Sequence, residues 1–383
     1  MTHFALDAPG GRITMRVSDR FEEVEAEWRH LMDRAGPAEH AYADPDFVAA
    51  WARHVAPERG IVPRYHVFRR DDEPIGLLPV GLGREGGMPM LLALSDSHTN
   101  FNGGVFAPGW DVAPTALHRT MLAAEPQAEG LWVCCVPGVE GRHPLLSVPC
   151  PSVHDGHGGS FADGFDAHLA RNGGKRKRKK HRQAARRFER AGGWSVERVR
   201  DPNEAVRLLD EARALFAERF ARDGIADPFA DTTVRSFMAD LLVASCDGER
   251  AVMALWKLEI DGKVVAIQAG GGTGDAFSLM FMVYRPGPFD ACGPGEFLLY
   301  EVLSKAADAG YRSFDLGRGR EPYKVSWCDV AIPLHDVRVA RTARAKLWMA
   351  AHARAANLKK RVRENDRLWE LAKTVRRGLA RAA

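Results

Sequence analysis

The chain has 383 residues, 45% of them hydrophobic and 27% charged, which is enough apolar surface to offset chain entropy and too long for one ordinary core, so two domains are expected. No apolar run reaches the roughly eighteen residues of a membrane-spanning helix, Met1–Phe4 shows no basic-then-apolar leader, and the six cysteines form no C-x-x-C pair, which argues against disulfides and structural zinc and for a cytoplasmic setting. The net charge of +4 conceals +9 on residues 175–190 and +10 on residues 341–383, leaving −15 on the rest: an acidic body with two basic segments.

In chain order, Arg12–Val17 reads as a strand, and Ser18 can cap a helix whose Phe21, Val24, Trp28 and Leu31 share one face. Asp44-Pro45 opens a second, short helix carrying Phe47, Val48 and Trp51. Strands are predicted at Tyr65–Phe68, Ile75–Val80 and Met88–Leu94, the first two joined by the polar turn Asp71–Pro74. A helix at Thr115–Ala124 precedes a buried strand, Leu131–Val136. Residues 153–164, rich in Gly, Ser, His and Asp, read as a linker between a first domain, 1–152, and a second, 165–341.

The pattern then restarts. A helix is expected from Phe165 through the basic block to Arg190, stopped by Gly192-Gly193. Next come a strand at Trp194–Val199, an amphipathic helix at Glu204–Ala221 and a helix at Thr233–Val243. Three strands follow, Ala251–Ile260, Lys263–Gly270 and Ala276–Tyr284, the first pair joined by the hairpin signal Asp261-Gly262. The loop Arg285–Gly295, a helix Glu296–Ala309, a short strand Ser313–Leu316 and a last strand His335–Arg341 complete the second domain; residues 342–383 read as a basic helical tail. The class is α/β (α+β), with mixed, mostly antiparallel sheets flanked by helices.

Two segments carry chemistry. The loop ending Cys292-Gly293-Pro294-Gly295 precedes a helix, whose free amide donors and dipole favour an anion, while glycines let the backbone approach it. By itself such a loop is more often a plain connection. The second segment runs from Gly310 through Phe314-Asp315-Leu316-Gly317-Arg318-Gly319 to Glu321-Pro322-Tyr323-Lys324 and Trp327. It resembles the signature F-D-L-x-R-G-D-E-P-Y-K of GNAT acetyltransferases of the cellulose-biosynthesis (CelD/BcsL) type, related to Fem-type aminoacyltransferases. Arg320 stands where that signature has an acid. Pro294, Gly295 and Leu298 meet its P-G-x-x-L helix start, Val264–Ala266 after Asp261-Gly262 its hairpin, Tyr42–Phe47 with Trp51 its aromatic helix, and His98–Asn102 an H-S-D/N-Y-N stretch. The resemblance covers most of residues 15–340 and implies tandem GNAT-like halves, the second better preserved, with the acceptor between them.

It also implies roles. Lys324 can stabilise the oxyanion of acyl transfer, and a lysine in a similar aromatic-Lys pair is a catalytic-site residue of Fem-type relatives. Asp315 can serve as base, with Tyr323 beside it. Gly293, Gly295, Gly317, Arg318 and Gly319 would border the donor, Arg318 gripping a phosphate or carboxylate. His98, Asn100 and Asn102 would hold the acceptor. The plainer alternative pairs Asp315 with Arg318 and leaves Tyr323 in the core.

The basic block 175–190 reads first as a solvated helix. It lacks interleaved aromatics, which argues against nucleic acid, though an anionic donor or lipid headgroup would suit it. His154, Asp155 and His157 make a weak metal candidate, and no metal is expected. The tail can lie on a membrane surface or on the protein's own body. The expected activity is acyl-coenzyme A-dependent N- or O-acyl transfer to a sugar or polysaccharide precursor. Alternatives are a Fem-like transferase using aminoacyl-tRNA, or a non-catalytic scaffold bound to polymer or synthase. The expected setting is cytoplasmic and bacterial, peripheral to the inner membrane.

Overall fold

The computed structural model describes residues 3–35, 41–95, 98–138, 143–147, 151–152, 155–319 and 321–364. The first half opens with a hairpin, β1 (His3–Ala8) and β2 (Gly11–Ser18), followed by α1 (Glu25–Ala35), which buries Trp28 and Leu31 with Val24 just before it, and α2 (Pro45–His54), capped by Asp44 through the Asp46 N–H. β3 (Val62–Arg70), β4 (Glu73–Glu85), β5 (Met88–Ala93), the two-residue β6 (Val105–Phe106), α3 (Pro114–Ala124) and β7 (Gly130–Pro137) complete it.

The second half contains β8 (Gly156–Ser160), α4 (Gly164–Arg171), α5 (Gly174–Arg190), β9 (Trp194–Arg198), α6 (Pro202–Asp223), α7 (Thr232–Ala244), β10 (Ala254–Ile260), β11 (Lys263–Gly271), β12 (Ala276–Tyr284), α8 (Pro294–Asp308), β13 (Ser313–Arg318), α9 (Pro322–Trp327) and β14 (Val330–Ile332). β15 (Leu334–Ala340) and α10 (Ala343–Glu364) close the described chain.

Two sheets result, ordered β1-β2-β3-β4-β5-β7-β15, with β6 beside β4, and β14-β8-β13-β12-β11-β10-β9. Both are antiparallel except at the short pairs β5/β7 and β12/β13. Three expectations change here. Residues 153–164 are not only a linker, because β8 pairs with β13 and β14 inside the second sheet. The last strand leaves its own half: β15 pairs with β7 at the edge of the first sheet. The helix expected from Phe165 to Arg190 is broken, because Gly173 takes φ 73° and starts a new helix at Gly174.

One apolar cluster joins the halves, running from Trp28, Phe47 and Trp51 to Leu215, Phe237, Met253 and Phe281. Phe47 and Phe237 meet edge-to-face with centroids 5.1 Å apart. Asp44, besides capping α2, accepts from Thr273 Oγ1 at 2.5 Å, a polar strut across the same seam. A second cluster lies under α4, α5 and α8, and a third on the opposite face of the first sheet.

Candidate active site

β12 and β13 run parallel but share register over only three pairs, ending at Ser278 and Asp315. Beyond that point they separate, and a cavity of about 910 Å³ opens, lined by Leu279–Met282 of one strand and Leu316 and Arg318 of the other. The register of β11 shifts opposite this point, so Gly270 pairs with Leu279, Ala269 with Phe281, and Met280 with no residue of β11. Met280 is thus the extra residue of a bulge at the apex of the opening.

At the mouth stands the start of α8. Gly293 adopts φ 63° and no side chain caps the helix, so its first amide donors face the cavity that Gly293, Gly295 and Glu296 line. Arg176 and Lys180, one turn apart on α5, line the same mouth, and Lys180 pairs with Glu296. Lys177 departs from the expected solvated basic face. It is buried, donates to the carbonyl of Ser326 at 2.7 Å and to that of Asn172, and lies over the Trp327 ring. It thereby clips α5 to α9.

α9 presents Tyr323 and Lys324 to the cavity. Pro322 at its first turn sets the helix start after Glu321. Lys324 is buried at 7% exposure. Its ammonium donates to the carbonyl of Arg318 at 2.6 Å and meets Glu321 at 3.1 Å, which leaves one of three N–H donors. Burial raises the pKa of the half-buried Tyr323, so it stays a neutral phenol.

Asp315 does not pair with Arg318. Its carboxylate accepts from the Ser278 hydroxyl and, at 3.0 Å, from the Gly317 N–H. Burial pushes it up to about 7, against the pull of those two bonds and the Lys324 charge. It borders a separate hollow of about 410 Å³ between the halves, lined also by Asn102, His143, Ser160 and Ser313. Arg318 directs Nη1 to Cys135 Sγ at 2.7 Å, across the seam. Cys135 sits at φ 55°, a strained position for a side-chain-bearing residue within a strand.

The glycines act on the protein itself. A Cβ on Gly317, at φ 70°, would lie 2.3 Å from Asn100 Nδ2, and one on Gly319 would lie 2.3 Å from Glu321 Oε2 and 3.0 Å from Lys324 Nζ. Neither glycine lines the cavity, contrary to the expected donor contact. Arg320 and His154 lie outside the described residues, and His157 is engaged with the Gly319 carbonyl at 2.7 Å.

The three expected acceptor residues separate. Asn100 lines the cavity, with Nδ2 donating to the Tyr42 hydroxyl at 2.6 Å. His98 borders a smaller chamber, accepts from Trp51 Nε1 at 3.0 Å, and is lowered to about 4 by burial. Asn102 closes the first half: its N–H bonds the Cys135 carbonyl and its Nδ2 the Cys134 carbonyl, both at 3.0 Å. This segment fills the place beside β7, where the parallel pair β5/β7 holds register over two residues only. The first half's counterpart of the β12/β13 opening is thereby plugged by the chain's own residues.

Sequence reasoning misses Ser278, Arg176, Lys180 and Tyr42 as site residues. The four-residue spacing on α5 carries the signal for Arg176 and Lys180, whereas Ser278 is placed by the parallel register of β12 and β13. Tyr42 is placed by tertiary packing alone.

Residues 175–325, which contain this opening, match the family described as the acetyltransferase (GNAT) domain. The chain carries an acyltransferase domain. Among curated proteins none matches the sequence. Solved structures resemble the whole double fold. FemX, 12% identical, aligns over 86% of this chain and 98% of its own with a TM-score of 0.57. L-PGS from Bacillus licheniformis, 14% identical, aligns over 87% and 96% with a TM-score of 0.54. A conserved protein of unknown function from Bacteroides thetaiotaomicron, 15% identical, aligns over 85% and 99%, also with a TM-score of 0.54. At these identities the likeness is one of fold: two GNAT-like halves, of which the acyltransferase domain holds the open strand pair.

Proposed function

We propose that the protein transfers an acyl group from coenzyme A to an amine or hydroxyl of a polar acceptor, such as a sugar or polysaccharide precursor. The observation that carries this reading is the opening between β12 and β13. It is lined by an anion-favouring helix start and Arg176, and by Lys324 and the bulged Met280. A phosphate-bearing donor with an extended, amide-containing arm suits that layout. Phosphates meet the α8 amides and α5 cations. The arm's amides meet the strand edges freed where β12 and β13 part.

Chemistry then follows at the apex. The acceptor enters between the halves, where Asp315 borders the second hollow, and gives up its proton to that carboxylate as its N or O attacks the thioester carbon. The oxyanion so formed is met by the remaining Lys324 donor and the Met280 N–H. As it collapses, the C–S bond breaks, and the thiolate leaves and is protonated from solvent. A carboxyl near 7 is matched to accept a proton at neutral pH. The resemblance to the CelD/BcsL type supports a saccharide acceptor and a setting in exopolysaccharide or cellulose synthesis. Among the described residues no helix is long and apolar enough to cross a membrane, and no cluster of side chains could hold a metal. A peripheral position through the basic tail is part of the proposal.

A thermal-shift comparison tests the donor. Coenzyme A and acetyl-coenzyme A at millimolar concentration should raise the Tm, since a ligand of the native state stabilises by mass action. No shift with either, alongside a shift with aminoacyl-tRNA, would move the reading to a Fem-like donor. The exposed Lys175, Arg176, Lys179 and Arg182 on α5 are the feature that could serve that donor.

A further inference from the structure

Beside the transfer point lies a chamber of about 130 Å³ that shares Asn100, Phe229, Met280, Phe281 and Arg318 with the main cavity. It runs from the apex of the opening into the seam between the halves, and its inner wall is Phe47, Phe237, Met238 and Met253. All four of these side chains are buried.

The polar groups on its border are already bonded within the protein. His98 accepts from Trp51 Nε1 and bonds the Pro228 backbone. Thr99 Oγ1 donates to Asn102 Oδ1 at 3.0 Å. Asn100 gives its amide to Tyr42 and accepts from the Arg318 N–H, and Arg318 itself meets Cys135 Sγ. A sugar or amino acid reaching the inner wall would bury hydroxyls or charges against four apolar side chains that offer no hydrogen bond. An apolar chain would lose nothing and would meet phenylalanine rings and methionine thioethers, which adapt to irregular shapes.

We propose that this chamber receives the tail of the donor's acyl group, so that the preferred donor carries a medium-length aliphatic acyl chain rather than acetyl. The inference rests on acyl-coenzyme A being the donor, with its thioester at Met280. A cavity of ~150 Å³ takes the six carbons of benzene. The chamber therefore holds about five, and with the carbonyl and neighbouring carbons in the main cavity the acyl group has roughly six to eight.

The experiment is calorimetric titration of the full chain with acetyl-, butyryl-, hexanoyl-, octanoyl- and palmitoyl-coenzyme A. Each methylene that enters should tighten Kd about fourfold, equivalent to ~0.8 kcal/mol per buried CH₂, until the chamber is full near six to eight carbons; palmitoyl should gain nothing more or lose affinity. Met253→Phe should collapse the hexanoyl-to-acetyl ratio toward one, and Met238→Ala should move the optimum to longer chains, with circular dichroism confirming that each variant is folded. Acetyl-coenzyme A binding as tightly as hexanoyl-coenzyme A in the wild type would overturn the chamber assignment while leaving the donor reading intact. If no coenzyme A thioester binds at any length, the donor reading falls and the chamber assignment falls with it. Should neither variant fold, the wild-type series decides by itself.

Discussion

Asp315 is held by two hydrogen bonds that favour its charge and by burial that opposes it, and burial wins, lifting it to about 7. Between about 4 and about 7 the folded chain therefore keeps a proton that the unfolded chain releases, and stability falls as pH rises through that window. Activity runs the other way, because a base must be deprotonated. We expect kcat/KM of the wild type to rise through a limb near 7. Asp315→Asn should lower it by roughly 10²–10⁴ and abolish the limb. The same substitution should flatten the fall in Tm between about pH 4 and about pH 7, because no buried carboxyl remains at this position to titrate. A variant that keeps the limb would remove Asp315 from the reaction. The bond from Ser278 belongs to the same argument: its place opposite Asp315 follows from the parallel register, which no local pattern reveals.

At the scale of elements, α5 is two things at once. One residue, Lys177, is turned inward to hold α9, while Arg176 and Lys180 face the mouth of the cavity. Arg176→Glu should weaken coenzyme A binding about tenfold at low ionic strength, the size of a two-unit charge change beside a phosphate in water, and the loss should shrink as salt is added. Arg186→Glu, on the same helix but outside the cavity lining, should do little. Equal losses at both positions, or losses that ignore salt, would show that α5 acts only structurally.

Most of the second half's elements are legible in the sequence because their signals are local. Asp261-Gly262 takes the paired positive φ of a tight hairpin, and Asp201 and Asp231 cap α6 and α7. β8 is illegible for a physical reason. Its sequence, Gly-His-Gly-Gly-Ser, has no strand propensity, and it is a strand because the sheet needs side chains absent there. A Cβ on Gly156 would lie 2.7 Å from Phe101, and one on Gly159 would lie 2.5 Å from Phe314. The site divides in the same way. Lys324, Arg318 and the α8 start are readable as a motif, whereas the distribution of His98, Asn100 and Asn102 over three places depends on how the halves meet.

For the whole molecule, the decisive feature is that neither half is closed without the other. The largest apolar cluster draws on α1 and α2 from one side and α6, α7 and β12 from the other. β15, which follows every other strand of the second half, completes the first sheet through β7, and Asp336 accepts there from Ser152 Oγ at 2.5 Å. α10 then packs Ala345 and Met349 onto that sheet, with Trp348 against Trp132 at 5.2 Å. This places the start of the basic tail on the protein's own body; residues 365–383 lie outside the described chain. The cavity inherits the same dependence, since Asn100 of one half touches Gly317 and Arg318 of the other. Calorimetry of the full chain should accordingly give one transition with van't Hoff and calorimetric enthalpies equal. Ending the chain after Pro333 removes β15 and α10, uncovering the edge of β7 and the apolar faces packed on them. That truncated chain should lose the cooperative transition in both halves, including the acyltransferase domain from which no residue has been cut. Survival of one transition with coenzyme A binding intact would instead mean that the second half is held by its own core.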